Sequence, residues 1–422
     1  MMRKQQQQQQ PRTLFQRGPQ RGPNTLQILV LLAIMVAIGP AWLLRQWDAD
    51  ENWVMNLLII VLPRLMDTPV EHYFGKPQSD QLARIQIMRD QMELLVSSER
   101  TLRFAMGDVI ADASYGPNAT RVATFKMPVV GKGSFPDGDD DGGGDRHFVE
   151  VTCTCPHDAT ADDVLPIIFF FHSGGMIAGS VNAELNKARY LAQKVEAVVC
   201  SPEYRLAPEH PYPAGLDDCI DSSLALLSNE AQMHLILEAL GISGIDTRRV
   251  GTFGYSAGGY LSALVARELT AAGHNLALQV SLVPMAQPHG GGTSSMFEHW
   301  YAPVWNGPFN MLAWSLYLSE DTDGSLALHH LINLLVDPPD EDTIRRLPPA
   351  YVQINTKDVL RDEGERYANR LREQGKLLRL DEYNTNHVGG SGLLAWGGGP
   401  GENAFEDAVK VVVHHFIELE PC

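Results

Sequence analysis

The chain has few positive charges and few cysteines. Lys and Arg number 33 against 51 Asp and Glu, which gives a formal net charge of -18 at pH 7. Because phosphate contacts need clustered positive charge, this balance argues against nucleic acid as a partner. The 5 cysteines are scattered and form no Cys/His cluster with metal-ligand spacing. We therefore expect neither a metal site nor a dense disulfide framework, while one or two bridges stay compatible with the sequence.

The N-terminal region has the layout of a membrane anchor. Residues 1–24 are polar, contain a glutamine run and carry no acidic side chain, as expected of a disordered cytosolic tail. Residues 26–44 are almost entirely apolar and approach the ~20 residues that cross a bilayer, so we assign a transmembrane signal anchor to 25–45. A basic flank before it and an acidic one after it predict a cytosolic N-terminus. A cleaved secretory signal is the alternative, although its apolar core is usually shorter.

The remainder of the chain is then expected on the lumenal or extracellular side, and the endoplasmic reticulum is the predicted membrane. Asn118 begins a glycosylation sequon that agrees with this side, although such short matches also arise by chance. Residues 46–110 are predicted to form membrane-proximal and cap helices. Within them the apolar run 53–62 is too short to span a bilayer and suits the membrane interface, a substrate entrance or a buried helix.

The catalytic domain, assigned to residues 111–422, alternates strand-like and helix-like stretches. Half-buried strands are predicted at 121–125 and 148–153. The continuous apolar run at 165–171 is typical of a central parallel strand. Further strands are predicted at 197–200, 249–253, 278–283, 350–354 and 377–383. Helical stretches separate them, and this alternation predicts an α/β fold with a mostly parallel central sheet and helices on both faces.

The alternation breaks from about residue 289 to 347, where the chain is rich in Trp, Gly and Pro. Helical pieces are predicted at 309–318 and 326–335. We interpret the stretch as an excursion that forms part of a helical cap over the active site. Four of its aromatic residues are candidates for an acyl pocket, with ordinary packing as the more common role of each: Trp300, Trp305, Phe309 and Trp314.

Residues 254–258 carry the pattern Gly-x-Ser-x-Gly around Ser256. A β-leaning stretch precedes them and a stretch apolar at helical spacing follows, which is the context of a nucleophile elbow. Glycines must flank the serine because a Cβ would clash with the strand or the helix. The hydroxyl then lies beside the positive end of a helix, where a developing oxyanion is stabilised. Alone the pattern is a weak signal, since a tight turn can contain serine by chance.

The other groups that serine hydrolysis requires follow in the order Ser, Asp, His. Asp358 comes after a predicted strand, and His387 comes after the last one. This is the chain order of α/β-hydrolases and differs from that of other serine hydrolase folds. A serine hydroxyl is a poor nucleophile until a histidine takes its proton and an acid orients that histidine. The glycine-rich turn 172–175 ends a buried strand, where successive amides can form an oxyanion hole.

From about residue 147 to the C-terminus, the chain resembles the hormone-sensitive-lipase branch of the α/β-hydrolases. The run 204–209, Tyr-Arg-Leu-Ala-Pro-Glu, with Pro-Ala at 213–214 and Asp217, is similar to the signature of that branch and is highly specific. The run 358–364, Asp-Val-Leu-Arg-Asp-Glu-Gly, resembles its acid motif, in which the first aspartate belongs to the triad. We therefore choose Asp358 over Asp362 as the acid.

The resemblance implies a role for each matching position and implies no cofactor. The catalytic residues are expected to be Ser256, Asp358 and His387. The oxyanion donors are expected to be the amides of Gly174, Gly175 and Ala257, and the supporting motif residues are His172, Tyr204, Arg205 and Glu209.

Three positions depart from the family pattern. Ser173 and Val388 stand where glycine is usual, and Tyr255 stands where the family has aspartate. None of these changes removes a catalytic group. The oxyanion hole is expected to survive, and Tyr255 puts the rate or the substrate preference in question rather than the mechanism.

These residues predict a membrane-anchored serine carboxylesterase that acts on small lipophilic esters, similar in layout to the arylacetamide deacetylase and neutral cholesterol ester hydrolase group. The expected partners are the ester substrate and the membrane, and the sequence does not indicate an oligomeric state. Two alternatives stay open. One is a silent ligand receptor, like the plant gibberellin receptors, which resemble this branch but lack the histidine; His387 argues against it. The other is amide deacetylation, which uses the same residues.

Overall fold

The computed structural model describes residues 85, 86, 89, 120–129, 147–302, 305–319, 321, 324–387 and 404–419. The predicted tail and anchor, nearly all of 46–110, Asn118 and Val388 lie outside these residues. Within the described part of the chain, no helix combines the length and the apolar character needed to cross a membrane. The predictions about the N-terminal region therefore stay predictions.

A mixed sheet organises the described residues. Its 8 strands lie in the order β1-β2-β4-β3-β5-β6-β7-β8. Their bounds are β1 (Thr120–Val129), β2 (His147–Pro156), β3 (Val164–Phe171), β4 (Val198–Pro202), β5 (Gly244–Tyr255), β6 (Leu278–Leu282), β7 (Ala350–Lys357) and β8 (Leu377–Asn386). The pairs β1/β2 and β2/β4 are antiparallel, and the other neighbouring pairs are parallel. The predicted mostly parallel sheet is confirmed.

Helices pack on both faces of this sheet. Their bounds are α1 (Val181–Val195), α2 (Ala214–Ser228), α3 (Glu230–Leu240), α4 (Ala257–Ala271), α5 (Ser294–Glu298), α6 (Gly307–Tyr317), α7 (Glu341–Arg346), α8 (Arg361–Glu373) and α9 (Ala404–Glu418). Phe169 and Phe171 of β3 pack in a core with residues of α2, α4 and α8, whereas Ile168 and Phe170 pack in a core with residues of α1 and α9. Because successive side chains of a strand point to opposite faces, the two cores lie on opposite sides of the sheet.

Helix α1 begins four residues earlier than the helix predicted to start at 185. Ser180 caps its N-terminus, since the hydroxyl accepts a hydrogen bond from the Ala183 amide at 3.1 Å. Glu184 lies in the first turn and Lys194 in the last, where their charges complement the helix dipole. The apolar side of the helix, including Leu191, is buried against the sheet.

A disulfide joins two neighbouring strands of the sheet. Cys153 on β2 is the direct register partner of Cys200 on β4, and the two sulfur atoms are bonded. Cys155 and Cys219 are buried free thiols. The sequence left one or two bridges open, and the described residues contain this one.

The excursion between β6 and β7 differs from its prediction in one part. Helix α6 corresponds to the helix predicted at 309–318, but the helix predicted at 326–335 is wrong, because only a short 3-10 helix at Ser325–Leu328 forms there. The buried Arg267 guanidinium on α4 donates to the carbonyl oxygens of His330, Leu334 and Val336. The hydrogen bonds to Arg267 hold these carbonyl groups against α4. Tertiary contacts therefore override the helical periodicity of the sequence at 326–335.

Candidate active site

The predicted elbow has the backbone of a nucleophile turn. β5 ends at Tyr255, α4 begins at Ala257, and Ser256 between them has φ 58° and ψ -119°. A Cβ on Gly254 would lie 2.0 Å from the carbonyl oxygen of Gly258, and a Cβ on Gly258 would lie 2.0 Å from that of Phe171. Glycine is therefore required at both positions, as the pattern predicts. The strained serine is held by its own amide, which donates to Leu282 O at 2.8 Å.

The structure brings Ser256, His387 and Asp358 into one hydrogen-bonded series. The Nε2 atom of His387 lies 2.9 Å from Ser256 Oγ, and its Nδ1 atom lies 2.7 Å from Asp358 Oδ2. His387 follows β8 directly, and Asp358 follows β7. Because parallel strands end at the same edge of a sheet, residues distant in sequence meet there. The spacing lets the ring take the serine proton while the carboxylate stabilises the charged ring.

Asp358 is shielded from solvent, with 0% of its surface exposed. Its Oδ1 atom accepts a hydrogen bond from the Leu360 amide at 3.0 Å. Asp362 has a different environment, because it accepts from the Ser295 amide at 2.8 Å and pairs with Arg361. The structure thus brings Asp358, and not Asp362, to the histidine.

The turn at 172–175 lies directly after β3 and is shaped by its glycines. Gly174 has φ 122° and Gly175 has φ 65°, whereas Ser173 does not have a positive φ. Serine at the first turn position therefore carries no backbone strain of the kind that favours glycine. The His172 carbonyl accepts from the Tyr204 hydroxyl at 2.8 Å, and the two rings stack with centroids 4.0 Å apart. These contacts explain how His172 and Tyr204 support the turn.

The two charged residues of the family signature hold neighbouring segments. Arg205 pairs with Asp218, a fully buried carboxylate on α2, at 2.8 Å. Glu209 binds Arg89 through both of its oxygen atoms, at 2.7 and 2.8 Å, and this hydrogen bonding lowers the pKa of the carboxyl group. Arg89 also donates to the carbonyl oxygens of Ile177 and Ala207. Arg89 therefore joins the chain at Ile177, just after the turn at 172–175, to the signature segment at Ala207 and Glu209.

Several of these residues do not stand out in the sequence. Asp217 matches the family signature, but Asp218 is the residue that pairs with Arg205. Neither local pattern identifies Arg89, whose partner Glu209 is 120 residues away, or the buried Glu363, which accepts a hydrogen bond from the Ala286 amide at 2.9 Å. Burial raises the pKa of Glu363. The sequence signal for Glu363 is its position: it shares the buried side of α8 with Tyr367 and Leu371, at helical spacing, where an apolar residue is expected.

The aromatic residues of the excursion divide between the site and the core. The Trp305 ring lies 5.6 Å from the His387 ring, and a Cβ on Gly175 would lie 2.4 Å from Trp305 Cη2. Phe309 packs edge-on against Trp305. Trp314 is instead fully buried against Tyr260. Trp300, also proposed for the pocket, stacks on the exposed Phe297. Of these three tryptophans, Trp305 is therefore the one that lies beside His387.

Tyr255, the departure within the elbow, is buried beside the histidine. Its ring lies 5.6 Å from the His387 ring, and Lys187 Nζ lies 5.3 Å from its centroid. An aromatic ring thus occupies the place of the family carboxylate and contacts a cation.

Across the described residues, no group of three or more His, Cys, Asp and Glu is arranged to hold a metal ion.

Comparison with known proteins agrees with this geometry. Residues 168–388 match the family described as alpha/beta hydrolase fold, and the chain belongs to that family, in its hormone-sensitive-lipase-like branch. It is 29% identical to esterase LipI of Mycobacterium tuberculosis, over 57% of this chain and 70% of that protein. It is 32% identical to an arylesterase of Saccharolobus solfataricus, over 50% and 63%. It is 27% identical to arylacetamide deacetylase of Oryctolagus cuniculus, over 59% and 72%.

A solved structure titled bacterial heroin esterase superposes with a TM-score of 0.61 at 26% identity, covering 79% of this chain and 92% of that one. An esterase of Pyrobaculum calidifontis, at 23% identity and a TM-score of 0.63, shares the fold over 86% and 98% of the two chains. The chain spans 70% and 63% of the length of the first two curated relatives. Together these similarities define an enzyme of the carboxylic ester hydrolase class.

The two aspartates provide a matched test of the site. We expect Asp358→Asn to lower kcat by on the order of 10³–10⁴-fold, because an amide cannot hold the histidine in the same tautomer or stabilise its charged form. Asp362→Asn removes the same charge four positions away, and we expect kcat to fall by less than about tenfold. Steady-state hydrolysis of p-nitrophenyl esters measures both. If Asp362→Asn lowered kcat more than Asp358→Asn does, the assignment of Asp358 as the acid would be contradicted.

Proposed function

We propose that the protein is a membrane-anchored serine carboxylesterase that hydrolyses lipophilic esters through an acyl-enzyme intermediate. Ser256 is the nucleophile, His387 is the general base and then the general acid, and Asp358 orients His387. The observation that carries the proposal is the hydrogen-bonded series from Asp358 Oδ2 through both ring nitrogens of His387 to Ser256 Oγ. The proposed mechanism uses no cofactor.

Acylation begins when Ser256 Oγ attacks the ester carbonyl carbon and His387 Nε2 takes the hydroxyl proton. The carbonyl oxygen becomes an oxyanion that accepts hydrogen bonds from the amides of Gly174, Gly175 and Ala257. The bond from the carbonyl carbon to the alcohol oxygen then breaks, and the imidazolium gives its proton to the leaving alkoxide. The alcohol departs and the acyl group stays on Ser256.

Deacylation repeats these steps with water as the nucleophile. His387 Nε2 takes a proton from water, and the resulting hydroxide attacks the acyl carbon. The same amides stabilise the second oxyanion. The bond to Ser256 Oγ breaks, the serine recovers its proton from the imidazolium, and the carboxylic acid leaves.

The surroundings of the triad support a lipophilic substrate. Trp305 and Phe309 lie in contact next to the oxyanion turn. Because Trp305 lies against Gly175, these rings are close to an ester whose carbonyl oxygen accepts from the Gly175 amide. Apolar walls with a few convergent polar groups are typical of pockets for small lipophilic molecules.

Two features support a lumenal position behind an N-terminal anchor. The apolar segment 25–45 has basic residues before it and acidic residues after it, which favours translocation of the catalytic domain. The Cys153–Cys200 disulfide is of the kind that persists in oxidising compartments such as the endoplasmic reticulum.

Replacement of the nucleophile tests the reaction. We expect Ser256→Ala to lower kcat for p-nitrophenyl esters by on the order of 10⁶-fold. The same variant should not be labelled by a fluorophosphonate probe. Ser315→Ala, which changes an exposed serine on α6, should leave both unchanged. Unchanged turnover in Ser256→Ala would contradict the proposed mechanism. A parent protein that binds hydrophobic ligands but never reacts with the probe would support the receptor alternative instead.

The similarity to an arylacetamide deacetylase keeps amide hydrolysis as the second candidate. It uses the same residues, so structure-directed variants do not separate it from ester hydrolysis. Acetanilide and phenyl acetate share the acetyl group and differ in the leaving group. We expect a higher kcat/KM for the ester, since alkoxides and phenoxides leave more readily than amines; the reverse ratio would favour the deacetylase.

The contact of Trp305 with Gly175 generates a prediction about acyl chain length. We expect Trp305→Ala to raise kcat/KM for octanoyl relative to acetyl esters by about tenfold, because the vacated space allows further methylene groups to be buried at ~0.8 kcal/mol each. Trp300→Ala, which removes an indole stacked on Phe297, is the matched control. A p-nitrophenyl ester series measures the profile, and equal profiles for parent and Trp305→Ala would contradict the assignment.

The proposed anchor and orientation are tested in one experiment. The full chain, expressed in mammalian cells, should stay with membranes after alkaline carbonate extraction, because a transmembrane helix is not released by loss of electrostatic contacts. Deglycosylation should increase its gel mobility, and Asn118→Gln should remove that shift. A glycosylated form in the medium would indicate a cleaved signal, and an unglycosylated membrane form would contradict the lumenal orientation.

A further inference from the structure

The two departures from the family pattern that lie among the described residues are both in contact with one helix. Ser173 belongs to the oxyanion turn and Tyr255 belongs to the elbow, and 82 positions separate 173 from 255 in the chain. Glu184 and Lys187, one turn apart on α1, contact the first and the second of them respectively. Glu184 and Lys187 were not selected from the sequence and take no part in the proposed proton transfers.

Glu184 holds the residue that precedes the proposed oxyanion donors. Its Oε1 atom accepts a hydrogen bond from the Ser173 amide at 3.2 Å and a second one from the Ser173 hydroxyl. The glutamate is nearly fully buried, with 4% of its surface exposed. A glycine in place of Ser173 would lose the hydroxyl contact. The carboxylate therefore fixes the start of the turn from which the Gly174 and Gly175 amides project.

Lys187 connects this carboxylate to the elbow. Its Nζ atom lies 3.6 Å from Glu184 Oε2 and 5.3 Å from the centroid of the Tyr255 ring. A cation at this distance from an aromatic face is attracted to it, and more strongly when water is excluded. Desolvation lowers the pKa of Lys187, and the neighbouring Glu184 opposes that shift. The Tyr255 ring in turn packs beside His387.

We propose that Glu184 and Lys187 are positioning residues that couple the oxyanion turn to the nucleophile elbow. The coupling runs from Ser173 through Glu184 and Lys187 to the Tyr255 ring and the His387 imidazole. Serine at 173 and tyrosine at 255 are then related departures from the family pattern. Ser173 supplies the hydroxyl that Glu184 binds, and Tyr255 supplies the ring that Lys187 contacts. The inference rests on the proposed esterase function of Ser256.

Such a coupling would affect the rate because the turn at 172–175 and the elbow at Ser256 must contact the same substrate carbonyl group. The oxyanion has to lie within hydrogen-bond distance of the turn amides while the carbonyl carbon lies next to Ser256 Oγ. A small shift of one group relative to the other lowers the rate without changing ground-state binding. The prediction is therefore a loss in kcat at nearly constant KM.

The test compares Lys187→Met and Tyr255→Leu, singly and together, in the full chain. We expect each single variant to lower kcat about tenfold, with KM within about twofold, and the double variant to lose no more than either one, because both cut the same connection. Lys187→Arg and Tyr255→Phe should retain activity, since they keep the cation and the ring. Values of kcat are expressed per site titrated with a fluorophosphonate, so unfolded protein does not count.

A control comes from the same helix. Lys194 Nζ lies 5.7 Å from the centroid of Tyr190, so Lys194→Met removes a similar cation–ring contact away from the site and should leave kcat unchanged. Multiplicative losses in the Lys187→Met/Tyr255→Leu double variant, or equal losses in Tyr255→Phe and Tyr255→Leu, would overturn the proposal. Turnover that persists in Ser256→Ala would instead overturn the proposed function, so the two failures are distinguishable.

Discussion

The close approach of Gly258 to the Phe171 carbonyl oxygen determines the geometry of the whole site. Because a Cβ at 258 would lie 2.0 Å from that oxygen, only glycine lets α4 begin so near the end of β3. The Ser256 amide is bonded to β6 at the same time. Backbone atoms of three strands thus place Ser256 beside the turn at 172–175, and Asp358 and His387 follow the ends of the next two strands.

Three charged pairs lie around this centre although the chain has a net charge of -18. Arg205 neutralises the buried Asp218, Arg89 neutralises Glu209, and Lys187 lies beside Glu184. An unpaired charge at the buried Asp218 or Glu184 would carry a large desolvation cost. Each pair includes a residue of the segment from β3 to α2, which contains the turn at 172–175.

The grouping of Ser256, Asp358 and His387 could be predicted from the sequence because each of them follows a strand-like stretch within a recognisable motif. The same is true of Gly254 and Gly258, which the turn requires for steric reasons. The supporting pairs could not be predicted, since Arg89 and Glu209 are distant in sequence and nothing in either local pattern identifies the other. The wrong helix at 326–335 has the same origin. Its apolar spacing was helical, but Arg267 on another helix captures its carbonyl groups.

The Arg267 contacts give the excursion between β6 and β7 a point of attachment to α4, the helix that begins next to Ser256. The section from His330 to Val336 is bonded to α4 through three hydrogen bonds that its carbonyl oxygens accept from the buried Arg267 guanidinium. The section can separate from α4 only if these bonds break. One side chain of α4 thus holds part of the excursion against the same helix whose first residue follows Ser256.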